Sequence, residues 1–162
     1  MKISAQDEYG LRTLIRIAKA PTAEGLSISQ LSDLEGISNS YMAKLTRHLR
    51  IAGFIESTPG RRGGYILSRP AKEIMISDVL KALDGSLFSA EFCQSHSGDF
   101  KVCANSTNCS VRSLWRVVQQ AVDSVLERVS LHDLIHSEDQ SEHILQELYD
   151  HYRPKSEGAL PS

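Results

Sequence analysis

Residues 27–67 read SISQLSDLEGISNSYMAKLTRHLRIAGFIESTPGRRGGYIL. Ser27 and Gln30 have the S-x-x-Q spacing of a capping box, in which each side chain satisfies a free amide at the start of a new helix. That helix is predicted to place Leu31 and Leu34 on its inward face and to stop at Gly36. The pattern therefore indicates a short helix that ends in a tight, glycine-containing turn.

A second helix follows the turn, with Ser38 or Asn39 as its cap and Gly53 as its end. Its apolar residues repeat at helical spacing and are Tyr41, Met42, Leu45, Leu49 and Ile51. Basic side chains occupy much of its remaining surface and are Lys44, Arg47, His48 and Arg50. Two short helices joined in this way, the second one cationic, are typical of a helix-turn-helix.

A β-hairpin is predicted directly after the second helix. Residues 54–57 and 65–67 indicate two strands, and a glycine-rich loop separates them. Arg61 and Arg62 at the tip of that loop make a wing that can reach a phosphate or the minor groove. The loop lacks the Lys-Ser/Thr ending and the strand-to-helix context of a nucleotide site, so a phosphate-cradling loop is the weaker interpretation.

Four other helices are predicted outside this stretch. They cover residues 11–18, a segment capped by Ser77, residues 110–129, and a short helix that begins with a capping box of Ser137 and Gln140. The helix over 110–129 is too long for a small winged-helix core to cover. Its apolar stripe is therefore predicted to pack against a second copy of the chain. A helix buried within one subunit is the alternative.

The length and composition set limits on the class of protein. The chain of 162 residues suits a single domain or one domain with an appendage, and its 41% hydrophobic content excludes a disordered chain. No run approaches the roughly 18 apolar residues of a membrane helix, and the N-terminus lacks the pattern of a signal peptide. We therefore expect a cytoplasmic protein with no membrane partner.

The net charge of −2 conceals a segregation of charge along the chain. Residues 1–70 hold ten Lys and Arg against six Asp and Glu, whereas residues 71–162 hold eight against fourteen. Between positions 37 and 69, six cations face only Glu56. Such a basic block favours a surface that binds a polyanion. A surface that is merely solvated is the alternative.

Three cysteines, Cys93, Cys103 and Cys109, lie within seventeen residues. An odd number of cysteines cannot all pair internally, and clustered cysteines in the cytosol favour metal or redox chemistry over a disulfide staple. Their spacing is wider than the knuckles of structural zinc sites, and soft thiolate ligands suit an iron–sulfur cluster better. Cys109 also directly precedes the long helix, whose positive end favours a thiolate.

The spacing of the cysteines leaves other interpretations open. A thiol redox switch and inert cysteines both remain alternatives to a cluster. Three thiolates would leave one coordination position for a further ligand, for which the candidates are Glu8, Asp7, His96, Asp99 or water. An enzyme is not expected, because the chain has no nucleophile elbow, paired-carboxylate site or dinucleotide fingerprint.

Several segments, taken in order, carry a family resemblance over roughly residues 1–135. They are residues 9–12 (YGLR), 36–41 (GISNSY), 49–55 (LRIAGFI) and 62–67 (RGGYIL), and the pattern Cys103-x₅-Cys109 followed by residues 113–115 (SLW). Together they resemble the family of winged-helix iron–sulfur regulators that contains IscR and the nitric-oxide-sensitive repressor NsrR. The resemblance implies a homodimer in which the long helices cross, the second helix of each helix-turn-helix reads the major groove, and the wing enters the minor groove.

The resemblance also implies a cluster held by the three cysteines and a fourth ligand that differs between branches. In the NsrR-like branch this ligand is an acidic side chain in the first helix of the partner subunit, at the position of Glu8. In the IscR-like branch it is a histidine three residues after the last cysteine, where this chain has Arg112. Glu8 is therefore the leading candidate, with Asp7 its neighbour. The interval between Cys93 and Cys103 is longer than the usual gap in the family.

The expected fold is mainly α with a small β-hairpin wing. It comprises a winged helix-turn-helix over residues 1–85, a cluster-binding cysteine loop over 86–109, a long dimerisation helix over 110–136, and a C-terminal helix and tail over 137–162. The expected function is a dimeric transcription regulator that binds a near-palindromic duplex and senses redox state, nitric oxide or iron–sulfur status. A clusterless thiol-disulfide regulator and a winged-helix protein-interaction module are the alternatives. The predicted DNA contacts are Ser38, Ser40, Tyr41, Lys44, Arg47, His48, Arg61, Arg62 and Gly63.

Overall fold

The computed structural model describes residues 3–20, 23–59, 63–83, 103, 105 and 107–152. Its elements in chain order are α1 (Ala5–Ala18), α2 (Ile28–Glu35), α3 (Asn39–Ile51), β1 (Ile55–Thr58), β2 (Gly64–Leu67), a 3-10 helix (Ala71–Glu73), α4 (Ile76–Leu83), α5 (Ser110–Leu126), α6 (Leu131–Leu134) and α7 (Glu138–Tyr152). The strands β1 and β2 pair in antiparallel register. The predicted fold class, mainly helical with a small hairpin, is confirmed.

Serine caps set the starts of the two helices that follow α1, as the sequence predicts. For α2, Ser27 N donates to Gln30 Oε1 at 2.9 Å, and Gln30 N donates to Ser27 Oγ at 3.3 Å. Ser38 is the cap of α3, since its Oγ accepts from Tyr41 N. Between the two helices Gly36 has φ +66°, a left-handed conformation in which a residue with a Cβ is strained. Local chemistry therefore fixes the helix-turn-helix.

The prediction that Leu34 faces inward is wrong. The buried residues of α2 are Leu31, Ser32 and Glu35, which form a narrow arc on the side that packs against α1 and α3. Leu34 lies at the edge of that arc and is exposed. The charged residue Glu35 therefore faces inward, where helical periodicity predicts Leu34.

The prediction that Ser77 caps α4 is also wrong. The helix begins at Ile76, and Ser77 is buried in its first turn. Ile76 N donates to Val129 O at 2.9 Å, and Met75 forms an isolated β-bridge with Ser130. The start of α4 is therefore set by pairing with a distant segment rather than by a local serine cap.

The C-terminal third of the described chain differs from its prediction mainly in length. The helix α5 ends at Leu126 rather than at 129, and the short helix α6 follows it. The predicted capping box at the start of α7 is confirmed, since Ser137 N donates to Gln140 Oε1 and Gln140 N donates to Ser137 Oγ. With 15 residues, α7 is longer than predicted. No helix in the described part of the chain is both long enough and apolar enough to span a membrane.

The hydrophobic core lies beneath the helix-turn-helix. Its fully buried apolar side chains are Leu14, Leu31, Met42, Leu45, Leu49, Ile74, Val79 and Leu131. They come from α1, α2, α3, α4, α6 and the segment before α4. Burial of a leucine-sized side chain contributes about 1.5–3 kcal/mol, so this cluster holds α3 firmly against the rest of the domain.

The wing is anchored by the segment that directly precedes α2. Leu26 and Tyr65 form an antiparallel bridge, with Leu26 N donating to Tyr65 O at 3.2 Å and Tyr65 N donating to Leu26 O at 2.9 Å. The two backbone segments approach each other so closely that a Cβ on Gly64 would lie 2.1 Å from Glu24 O, and one on Gly25 would lie 2.2 Å from Tyr65 O. The root of the wing is therefore fixed to the start of α2.

Candidate DNA-binding surface and cysteine site

The outer side of α3 carries the cations that were predicted to meet DNA. Lys44 and Arg47 are exposed, and neither is within ion-pair distance of a carboxylate in the described part of the chain. The other predicted contacts on this helix are the exposed Ser38 and Ser40 and the half-buried Tyr41 and His48. An uncompensated pair of cations on one exposed helix face is suited to a polyanion such as the DNA backbone.

The wing begins from a rigid root. Thr58 Oγ1 donates to Glu24 O at 2.8 Å and accepts from Gly64 N at 3.0 Å. Gly63 is exposed and has φ +48°, so the chain turns sharply there. Arg61 and Arg62, the predicted minor-groove contacts, lie outside the described residues.

An aromatic and cationic stack connects α1 to α3. The ring of Tyr9 meets the ring of Tyr41 edge-to-face, with centroids 6.1 Å apart. The guanidinium of Arg12 lies 5.6 Å from the centroid of Tyr9, and its Nη1 lies 3.8 Å from Glu8 Oε1. Tyr41 is also a predicted DNA contact, so α1 touches the helix that carries the predicted readout.

A buried carboxylate connects α1 to α2. The side chain of Glu35 is 0% exposed and faces two arginines that are 45% and 42% exposed, Arg12 and Arg16. Arg16 Nε donates to Glu35 Oε1 at 2.6 Å, whereas Arg12 Nε lies 2.5 Å from Oε2 in an ion pair outside hydrogen-bond geometry. Arg12 therefore contacts Glu8, Tyr9 and Glu35 at once.

The two acidic candidates in α1 have different environments. Asp7 belongs to the cap of the helix, because its Oδ2 accepts from Ser4 N at 3.2 Å and from Ser4 Oγ at 2.9 Å. The side chain of Glu8 is 58% exposed and has only the 3.8 Å contact with Arg12 in the described part of the chain. Glu8 is thus the more accessible carboxylate.

Two of the three cysteines lie at the start of α5 or in the segment that precedes it. Cys103 and Cys109 are free thiols and half-buried. Cys109 is the N-terminal cap of the helix, and its Sγ accepts from Arg112 N at 3.4 Å. Cys93 lies outside the described residues, as do His96 and Asp99. Among the residues that are described, no three His, Cys, Asp or Glu side chains meet as a metal site.

The helix α5 presents an unpartnered apolar stripe. Its exposed apolar residues are Val111, Leu114, Trp115, Val117 and Val125, and Val117 is 62% exposed. None of its residues is buried by the described part of the chain. Large exposed apolar patches on a soluble domain usually mark an interaction surface.

Sequence reasoning missed Ser4 and Glu35. Ser4 and Asp7 have the spacing of a capping box, so that signal was present in the sequence. Glu35 has no such signal, because a glutamate at the end of a short helix is usually solvated. Its burial depends on two arginines that lie more than 15 residues earlier in the chain.

Comparison with known proteins gives the family. A model described as Rrf2, an iron-dependent transcriptional regulator, matches residues 3–137. The chain belongs to the Rrf2 family. As a member of this family it is a DNA-binding transcription regulator and not an enzyme. The observed helix-turn-helix and hairpin agree with that assignment.

Individual Rrf2 relatives resemble the chain over most of its length. Protein rrf2 of Nitratidesulfovibrio vulgaris is 34% identical over 135 residues, which are 83% of this chain and 87% of that protein. The structure of T. potens IscR superposes with a TM-score of 0.64 at 27% identity and covers 83% of this chain and 86% of that one. An oxidized form of Staphylococcus aureus CymR superposes with a TM-score of 0.65 at 30% identity, over 85% of this chain and 98% of that one.

Proposed function

We propose that this Rrf2-family regulator acts as a homodimer that senses redox state, nitric oxide or iron–sulfur status through Cys93, Cys103 and Cys109. The observation that carries the proposal is the position of Cys109, the cap of a helix with an exposed apolar stripe. The same chain bears, on α3, two cations with no carboxylate partner among the described residues. The residues proposed for sensing, at and before the start of α5, and those proposed for DNA recognition, on α3, thus belong to one small protein. The family contains iron-dependent regulators by its description.

The DNA-binding half of the proposal rests on α3 and the wing. We infer that α3 enters the major groove, where Ser38, Ser40 and Tyr41 meet phosphates or base edges and Lys44 and Arg47 contact the backbone or reach the bases. His48 lies beside them. Arg61, Arg62 and Gly63 are proposed to enter the minor groove. In a dimer the two α3 helices would read half-sites about 34 Å apart on a near-palindromic duplex.

The dimer half of the proposal rests on α5. Burial of its apolar stripe against the same stripe of a second copy would remove Trp115 and its neighbours from water, which stabilises association by about 25 cal/mol per Å². The proposal also requires that the two-fold axis bring α1 of each subunit close to the cysteines of the other. The proposed organisation is a winged domain over 1–85, a cysteine loop over 86–109, the dimerisation helix over 110–136 and a C-terminal helix and tail over 137–162.

The donor set suits an iron–sulfur cluster. Cys109 Sγ accepts a hydrogen bond from Arg112 N at the positive, N-terminal end of α5. Such an environment suits a thiolate ligand. Cys93, Cys103 and Cys109 would hold the cluster, and Glu8 of the partner subunit would supply the fourth ligand. Asp7 is the weaker candidate because its carboxylate caps α1. When bound, such a cluster supplies a link between subunits that reacts with oxidants and nitric oxide.

Residues around Glu8 can carry a change at its carboxylate to the DNA-reading helices. When Glu8 is not bound elsewhere, it pairs with Arg12, which in turn contacts Tyr9 and Glu35. Tyr9 contacts Tyr41 of α3, and Glu35 belongs to α2. Withdrawal of Glu8 from Arg12 would therefore alter the contacts of α1 with both helices of the helix-turn-helix.

We expect Glu8→Ala to make cluster loss at least about 10-fold faster, because even groups that only support a metal ligand are worth 10- to 100-fold in affinity. The measurement is visible absorption during incubation of oxygen-free protein with a chelator. The clusterless protein should keep its stability, since Glu8 is exposed. Asp7→Asn is the matched control and should behave as wild type. An unchanged spectrum in Glu8→Ala would reject the ligand assignment.

A thiol–disulfide switch without metal is the second candidate function. It is favoured by the likeness to CymR, which has been captured in an oxidized form, and by the free thiols of Cys103 and Cys109. Oxygen-free purification separates the two candidates, because bound cluster absorbs visible light and thiols do not. In both cases we expect replacement of all three cysteines by alanine to preserve DNA binding and to abolish its response to oxidant. A retained response would overturn both.

A further inference from the structure

Arg112 holds the segment between two cysteines in place. It lies in the first turn of α5, where its backbone N donates to Cys109 Sγ at 3.4 Å. Its Nη2 reaches back seven residues and donates to the backbone O of Asn105 at 3.1 Å. Asn105 lies between Cys103 and Cys109, so one residue contacts both the second thiol and the middle of the connecting loop.

We infer that Arg112 is a positioning residue that sets the arrangement of Cys103 and Cys109. The inference rests on the proposed function only in treating these two thiols as sensing groups. The guanidinium of an arginine carries only hydrogen-bond donors and has no lone pair to offer a metal, so Arg112 is not a candidate ligand. It acts on the thiols through the loop backbone.

The chemistry of arginine suits this role. Its side chain, like other long helical side chains, points back toward the N-terminus of the helix and so overlies the preceding segment. A charged donor on a carbonyl gives a stronger hydrogen bond than a neutral one. Each residue of a loop that is held in one conformation loses backbone freedom. The hydrogen bond to Asn105 therefore restricts the segment near its centre, whereas attachment at its two ends leaves the centre free to move.

These two contacts of Arg112 can be tested separately, because its backbone makes one and its side chain makes the other. The hydrogen bond from the backbone N of residue 112 to Cys109 Sγ does not depend on which side chain stands at position 112. Replacing the side chain therefore removes its hold on the loop and leaves that backbone hydrogen bond in place. Arg116 lies one turn further along α5, is exposed, and provides a matched loss of one positive charge from the same helix.

Hydrogen exchange of the clusterless, reduced full-length protein measures the hold directly. We expect Arg112→Ala to speed exchange of the 103–109 amides by about 3- to 10-fold, the factor that one hydrogen bond is worth. Arg112→Lys, which keeps a charged donor, should restore at least half of the protection. Arg116→Ala should match wild type. Urea unfolding serves to show that all four proteins are equally folded.

A second measurement connects the loop to the sensing site. In oxygen-free protein, Arg112→Ala should lose its cluster to a chelator about 3- to 10-fold faster than Arg116→Ala. This factor should match the increase in the rate of hydrogen exchange of the 103–109 amides. Equal exchange rates in Arg112→Ala and Arg116→Ala would overturn the inference, whatever happens to the cluster. Protein that carries no cluster at all would contradict the iron–sulfur proposal, yet the exchange comparison would still decide the role of Arg112.

Discussion

Replacement of Lys44 and Arg47 by alanine should weaken binding to a selected duplex by about 1,000-fold at 0.1 M salt. The proposed dimer would lose four cations, and each hydrogen bond to a charged partner is worth about 1 kcal/mol or more. Neither side chain has a carboxylate partner in the described part of the chain, so its charge is available to DNA. Exposure of both side chains means that the fold should not suffer.

The salt dependence gives the sharper measurement. The slope of log K against log salt should become shallower by about 3 to 4, because each phosphate contact contributes about 0.9. Fluorescence anisotropy between 50 and 200 mM salt, a range in which such contacts act, records both quantities. The matched control is the double variant Lys81→Ala, Arg116→Ala, which removes the same charge from α4 and α5. An equal change of slope in the control would mean that net charge, and not α3, governs binding.

The parts of the fold that the sequence predicts well depend on local chemistry. Ser27 with Gln30, Gly36 and Ser38 determine the helix-turn-helix, because a cap or a left-handed turn involves only residues within a few positions of each other. The hairpin follows for the same reason. The anchoring of the wing by Leu26 was missed, because a bridge to a strand almost 40 residues away leaves no local pattern.

The candidate site shows the same division. Cys109 was predicted to precede the long helix because helix starts are local features, and Lys44 and Arg47 were predicted to be exposed from periodicity. The fixing of Asp7 by Ser4, which favours Glu8 as a ligand, needed the observed cap. In the proposed dimer, contact between Glu8 and the cysteines depends on the second subunit, and no spacing within one chain can encode the geometry of an interface.

Removal of Arg12 and Arg16 should destabilise the domain more than removal of the carboxylate they contact. The double variant Arg12→Ala, Arg16→Ala leaves Glu35 buried with no charge partner, and breaking a buried pair in this way costs about 3–5 kcal/mol. Glu35→Gln leaves two arginines that are each more than 40% exposed and can turn toward water. Its cost should be about 1–2 kcal/mol, the worth of hydrogen bonds to a charged group after solvation.

The triple variant decides whether burial of the charge is the cause. Adding Glu35→Gln to the double arginine variant removes the stranded carboxylate, so it should recover about 1–3 kcal/mol although it is a further mutation. Urea unfolding at one fixed protein concentration measures all four proteins, since the stability of a dimer depends on concentration. A triple variant less stable than the double one would mean that Glu35 contributes by packing alone. In that case the contact between α1 and α2 could not transmit a change in the pairing of Arg12 with Glu8 to the helix-turn-helix.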